Sequence, residues 1–221
     1  MKKITLLIVF AVILQSAYSQ DKEKSPFSKV NAIVAPGYST VNGGSSWCGA
    51  FGFQLGIETV LYPICTNSAV IGGIVFTKQG AAYEENYNPG LDDFGYSSYD
   101  SYNVKGKVNL SYIGIPILYS HQFGNGIYAN AGFEPGFLVG AKDKIDDGES
   151  YDYSDYIKTF HLGLPIEAGY NVNEKISVGA KVIIGLTNIN NSDAVEQYGE
   201  DASDRNMLFM GVFRYQIYSK Q

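Results

Sequence analysis

Five charged residues, Glu58, Glu134, Glu167, Lys181 and Arg214, stand in a chain whose charged residues amount to only 17%. Each falls in a segment of alternating character, on the face opposite the large aliphatic side chains. Two chemistries suit such a set. Paired carboxylates, one protonated and one ionised, can serve general acid–base catalysis. The same groups enclosed away from water must pair with cations to offset their desolvation. Glu167 and Lys181 are equally spaced about Glu174, so a hairpin closed at Asn173-Glu174-Lys175 sets them opposite each other. An internal salt-bridge network is the favoured reading, and no catalytic residue is assigned.

Nucleophilic catalysis would need an activated Ser beside a His and an acid. The chain has two histidines, His121 and His161. They belong to opposite ends of the strand pattern described next and cannot share a site. A second cluster is acidic and aromatic: Asp143, Asp146, Asp147, Glu149, Asp152 and Asp155, with Tyr151, Tyr153 and Tyr156. Oxygen-rich loops can hold Ca²⁺, but Ile145 stands where the regular loop needs a ligand. No metal and no cofactor are expected. The cluster reads either as a solvated surface loop or as a contact surface in which Tyr supplies the contacts.

The elements that position these residues are strands. In "ISVGAKVIIGLT", Ile176, Val178, Ala180, Val182, Ile184 and Leu186 alternate with small or polar residues, Ile183 being the large exception. In "FHLGLPIEAGY" the apolar set from Phe160 to Tyr170 alternates with His161, Gly163, Pro165, Glu167 and Gly169. Period two over such lengths predicts strands with one apolar face and one small or polar face. The same pattern predicts eight strands, over 30–41, 48–61, 69–80, 107–122, 127–141, 157–171, 176–187 and 205–218. Connections after the second, fourth and sixth are short ("PICTNS", "GNG", "NEK"), and those after the third, fifth and seventh are long and polar.

Which face carries the bulk decides the solvent. A soluble barrel fills its interior with apolar groups and turns polar ones to water. Here the minority face collects Gln54, Glu58, Asn130, Glu134, Glu167, Lys181 and Arg214, as a narrow polar lumen would, while Ile, Val, Leu and Phe suit lipid. The expected fold is an all-β, eight-stranded antiparallel up-and-down transmembrane barrel with short periplasmic turns and long extracellular loops.

The N-terminus agrees with export. Lys2 and Lys3 precede an apolar stretch from Ile4 to Leu14, and Ala17 and Ser19 supply small residues for cleavage. Residues 1–19 read as a signal peptide, 20–29 as a periplasmic segment and 30–218 as the barrel. Removing Lys2 and Lys3 takes the formal charge from −6 to −8, which argues against nucleic acid as a partner. The partners expected are outer-membrane lipid and lipopolysaccharide, and the barrel is expected to be a monomer; only under the contact-surface reading of the acidic loop would divalent ions bridge its carboxylates to lipopolysaccharide. Cys48 and Cys65 lie at opposite ends of one predicted hairpin arm, too far apart to bridge.

"YIGIPILYSHQF" followed by "GIYANAGFEPGFLVGAK" resembles the PorT-like outer-membrane β-barrel family of Gram-negative bacteria, through Tyr112, Ile115, Pro116, Gly132, Gly136 and Gly140. "FTKQGA", residues 76–81, is similar to that family's strand ending in Lys-x-Gly. The expected role is structural or interactive at the cell surface, with an extracellular protein as candidate partner; what the resemblance adds is a place in a secretion apparatus and a secretion-machinery partner. A small porin is the alternative reading. A lipid A-modifying enzyme is a third, but the deacylase pattern His-x-Ser-Asn is absent at both histidines. Pro116, Pro135 and Pro165 interrupt the alternation, and turn geometry places them at one level of the wall where the ladder should be broken or bulged.

Overall fold

A computed structural model of the chain describes residues 29–43, 47–87, 102–145, 148, 150–191 and 204–219. The expected signal peptide and the segment up to residue 28 lie outside the described residues. Ten strands are formed: β1 (Lys29–Asn42), β2 (Trp47–Cys65), β3 (Ser68–Tyr87), β4 (Tyr102–Gly114), β5 (Ile117–Gln122), β6 (Ile127–Ile145), β7 (Ser150–Asp152), β8 (Phe160–Asn171), β9 (Ile176–Gly185) and β10 (Arg205–Ser219). All neighbours pair antiparallel, and β1 pairs with both β2 and β10, which closes the ring. β4 and β5 follow each other between β3 and β6 as halves of one stave, and β7 adds only to the outer part of β6. The wall therefore has eight staves.

The alternation sorts the two faces as lipid requires. Phe51 is 61% exposed and Phe133 55%, while Gln54 is fully buried and Glu58 and Glu167 are 2% exposed. Outward apolar groups meet hydrocarbon, and the polar groups are turned into the bore. Exposed aromatics gather towards both ends: Tyr62, Tyr119, Phe123, Tyr170 and Tyr215 at the short turns, Tyr38, Phe51 and Phe209 towards the long loops. Such rings suit the water–lipid boundary, where an aromatic has both an apolar body and a polar edge to place. Ile183, the exception in its strand, faces inward and packs with Ile33, Ala35, Leu208, Met210 and Val212.

Several strand ends run beyond the predicted ones, while β8 begins at Phe160 where 157 was expected and β9 stops at Gly185 where 187 was expected. β2 continues to Cys65, leaving Thr66-Asn67 as the turn, and Pro63 is accommodated because the ladder shifts register on both sides of it. β3 reaches Tyr87, β4 begins at Tyr102 and β6 reaches Ile145, so segments read from composition as loop are paired backbone. Backbone pairing tolerates polar side chains on both faces once the chain has left the hydrocarbon. Cys48 and Cys65, at the two ends of β2, are free and exposed.

The prolines sit at interruptions of the ladder. β4 pairs with β6 up to Gly114↔Gly136 and β5 resumes at Ile117↔Phe133, so Pro116 stands opposite Glu134 and Pro135 opposite Ile115. Ile115 N–H still reaches the Pro135 carbonyl at 2.9 Å. Pro165 pairs with Ile183 on β9, whereas towards β6 the register jumps from Ala131↔Ile166 to Glu134↔Gly163. A fourth, Pro36, behaves alike: it pairs with Phe53 on β2 but is skipped by β10 between Val34↔Phe213 and Gly37↔Met210. The gap between the β4–β5 stave and β6 belongs to Pro135, whereas Pro116 faces β3, where the ladder passes from Val75↔Gly114 to Gly72↔Ile117; in each case an interrupted ladder is the one that would have needed the missing N–H.

Candidate functional site

β2, β6, β8, β9 and β10 bring all five charged residues of the lumen into one cluster. Lys181 stands opposite Glu167 in the β8–β9 ladder, with Nζ 3.5 Å from Oε2. Arg214 is the hub. Its Nε donates to Glu58 Oε2 at 2.9 Å, its Nη2 to Glu167 Oε2 at 2.7 Å, and its Nη1 to Glu167 Oε1 and, at 2.9 Å, to the Tyr128 hydroxyl. The fork on Glu167 is the bidentate geometry in which a guanidinium binds a carboxylate best.

Two residues complete the cluster beyond the five. Lys181 Nζ donates to Gln54 Oε1 at 3.0 Å, and Gln54 Nε2 donates to both oxygens of Glu134 at 3.0 and 3.2 Å. Gln54 thus links Glu134, which has no cation within salt-bridge distance among the described residues, to the rest. Tyr128 reaches Arg214 only because Gly169 and Gly179, which face each other across β8 and β9, leave room for its ring. A Cβ on Gly169 would lie 2.4 Å from the Tyr128 hydroxyl oxygen. Tyr128 was not read from the sequence, although its inward parity, shared with Asn130 and Glu134, was the signal that could have found it.

Towards the long loops the bore changes character. Val41, Ala81, Val108, Leu110, Tyr112, Ala141, Ile157 and Ile189 pack together there, with Trp47, Tyr83, Leu138 and Tyr153 against them. At the inner edge of this plug, Gln79 Nε2, the Tyr112 hydroxyl and both amide atoms of Asn206 are buried without a hydrogen-bond partner among the described residues.

The described residues of the acidic, Tyr-rich segment do not share one surface. Asp143 is turned to the inner side of the mouth, where it accepts from the Tyr83 hydroxyl at 2.9 Å, and Tyr153 packs on the plug. Tyr151, Asp152, Asp155 and Tyr156 are exposed, Tyr156 stacking on Tyr153 with centroids 5.0 Å apart. The Asp152 carboxylate accepts from Ser154 N–H at 2.9 Å, and the bonds from Ser154 hold it below the usual carboxylate range. Asp146, Asp147 and Glu149 lie outside the described residues. Among the described residues no three His, Cys, Asp or Glu side chains form a metal-binding group.

His121 lies at the short-turn end, with Nδ1 2.7 Å from Ser68 Oγ, which also accepts from the Tyr119 hydroxyl at 2.9 Å. His161 is buried near the opposite end beside Tyr112, ring centroids 5.3 Å apart. The two histidines share no site.

Residues 17–191 match the family model described as outer membrane protein beta-barrel domain. The chain belongs to this outer-membrane β-barrel family. The outer membrane is the location that membership implies, and the short turns then face the periplasm. No protein of curated function matches the chain. Among solved structures, Neisserial surface protein A (NspA) is similar at 14% identity and a TM-score of 0.50, over 85% of this chain and 97% of that one. Ail, the attachment invasion locus protein of Yersinia pestis, gives 13% and 0.44 over 85% and 99%. OprG from Pseudomonas aeruginosa gives 13% and 0.40 over 86% and 96%. The likeness to NspA concerns the fold alone.

Proposed function

We propose that this member of the outer-membrane barrel family is a closed barrel with a structural or surface-interaction role, neither a general pore nor an enzyme. One observation carries the reading: a bonded cluster from Glu58 to Glu134 spans the bore, and the apolar plug seals its outer mouth. An eight-stranded bore is only wide enough for side chains, and here they are tied to one another. Surface contact would fall to the exposed members of the Tyr-rich segment, Tyr151, Asp152, Asp155 and Tyr156, and to phosphorylated lipid around the wall. The separation of His121 from His161 supports a role without catalysis.

The unpartnered polar level at Gln79, Tyr112 and Asn206 favours a second reading, slow passage of a small polar solute. Planar-bilayer recording of the purified protein separates the two. Absence of stable conductance is expected, and large steady steps would overturn the closed-barrel reading. The finer PorT-like assignment adds a secretion-machinery partner to the proposal. Cross-linking in the outer membrane should capture such a protein through residues 150–156, and capture that survives their deletion would refute that contact.

A further inference from the structure

We propose that outward-facing lysines at the outer ends of β3, β4 and β6 form a docking site for the phosphate groups of outer-leaflet glycolipid. The inference deepens the surface-interaction reading and rests on it. In β4, Val108 and Leu110 are buried in the bore, so Lys105 and Lys107 face out. In β6, Ala141 is buried and Asp143 is turned inward to Tyr83, so Lys142 and Lys144 face out. In β3, Thr77 and Gln79 face in and Lys78 out.

The ladder gathers these lysines. Lys107 stands directly opposite Lys144, Asn109 opposite Lys142, and Ser111 opposite Lys78. Like charges directly opposite in an antiparallel pair repel, and the sheet is better off without them unless an anion lies between. Lys105 has its own anion, Glu84, at 3.0 Å. Asp152 faces Lys142 across β7. The Lys142 charge acts on that carboxylate, whereas among the described residues Lys78, Lys107 and Lys144 form no ion pair. A patch of this sign on a chain of formal charge −6 is a local reversal.

Height identifies the occupant. The last outward apolar side chains before the patch are Phe76 on β3, Ile113 on β4 and Val139 on β6, all exposed to the surroundings of the barrel. Lys78 follows Phe76 on β3 and Lys142 follows Val139 on β6, while on β4 the outward face passes through Ser111 and Asn109 to Lys107. The changeover marks the edge of the hydrocarbon, and the next layer outward is the headgroups. Lysine suits that edge, with its methylene stem along apolar surface and its ammonium at the phosphates. A soluble acidic partner would have no reason to meet charges set so low on the wall.

The test uses the refolded full-length barrel in non-ionic micelles, with fluorescent lipopolysaccharide in its phosphorylated and enzymatically dephosphorylated forms, in the presence of a divalent-ion chelator. Wild type should prefer the phosphorylated form. The triple variant Lys107→Gln, Lys142→Gln, Lys144→Gln should bind it on the order of a hundredfold more weakly, while Lys105→Gln changes little. Unchanged binding by the triple variant, equal binding of the dephosphorylated lipid, or displacement of the lipid by an excess of acidic polypeptide would each overturn the proposal. If the triple variant does not fold, Lys107→Gln alone decides. It removes the like-charge pair, so it should not destabilise the barrel in micelles and should weaken phosphate-dependent binding; unchanged binding overturns the site. Conductance of the same preparations is read in parallel, so failure of the docking site leaves the closed-barrel reading standing, and the reverse.

Discussion

Replacing Arg214 by methionine keeps much of the volume and removes every donor of the hub. Glu58 loses its 2.9 Å bond, Glu167 loses both of its guanidinium bonds, and the Tyr128 hydroxyl loses its donor. What remains is Lys181, 3.5 Å from Glu167 and 3.9 Å from Glu58, already engaged with Gln54. Deleting one partner of a buried pair costs about 3–5 kcal/mol, because the other charge stays buried. Lys181 offsets part of this, which places Arg214→Met near the lower bound, about 3 kcal/mol, or roughly a 150-fold shift in the folding equilibrium. Urea unfolding in vesicles, under conditions where refolding is reversible, with folded and unfolded barrel separated by gel mobility, measures it. Adding Glu167→Gln removes one stranded charge, so the double variant should be more stable than the two single losses sum to, with a coupling of about 0.5–3 kcal/mol. Arg214→Lys keeps the charge without the fork and should fall between. An Arg214→Met barrel within about 0.5 kcal/mol of wild type, or a cycle with no coupling, would refute the network as a source of stability.

Gly169→Ala should push Tyr128 off Arg214, since the new Cβ would sit 2.4 Å from the phenol oxygen, at a cost of about 1–3 kcal/mol in the same unfolding assay; no loss would mean that the ring moves freely. Tyr83→Phe removes the 2.9 Å bond to Asp143 and should raise the rate at which protease cuts residues 143–156 without moving the global midpoint. The lowered Asp152 carboxylate gives a pH test. A depressed folded value means that its contribution is present above the ordinary carboxylate range and is lost as pH falls through the folded value. Protection of the Ser154 amide should therefore hold at neutral pH and fade only in acid, and Ser154→Ala, which removes the hydroxyl but keeps the backbone bond, should raise the Asp152 titration in NMR only part of the way to the ordinary carboxylate range.

The parts of this fold legible in the sequence were those that parity controls. Ile176 to Leu186 point out and Lys181 points in because side chains alternate, and the symmetric turn at Asn173 to Lys175 fixed Glu167 opposite Lys181. Gln54 was legible as an inward residue, but not as the link between Lys181 and Glu134, because those residues come from three separate strands and meet only when the ring closes. The plug was missed for the same reason: Val41, Val108 and Ile189 belong to distant parts of the chain, and no periodicity relates them. The overextended strands went unread because, outside the lipid, a paired strand needs no apolar face. Residues 81–87 and 102–106 therefore had the composition of a loop and the hydrogen bonding of a hairpin.

The charge cluster of the lumen bears on how the ring finds its shear. Sliding one stave past its neighbour by two residues leaves every inward side chain inward, so burial alone does not oppose the slip. Nor do Pro36, Pro116, Pro135 and Pro165, since each carries its missing donor to whatever rung it meets. The same slip between β8 and β9 would take Lys181 off Glu167 and pull apart the bonds that join them to Gln54 and Arg214. Since the offsets around a barrel together set its tilt and width, five charged side chains help to fix the bore.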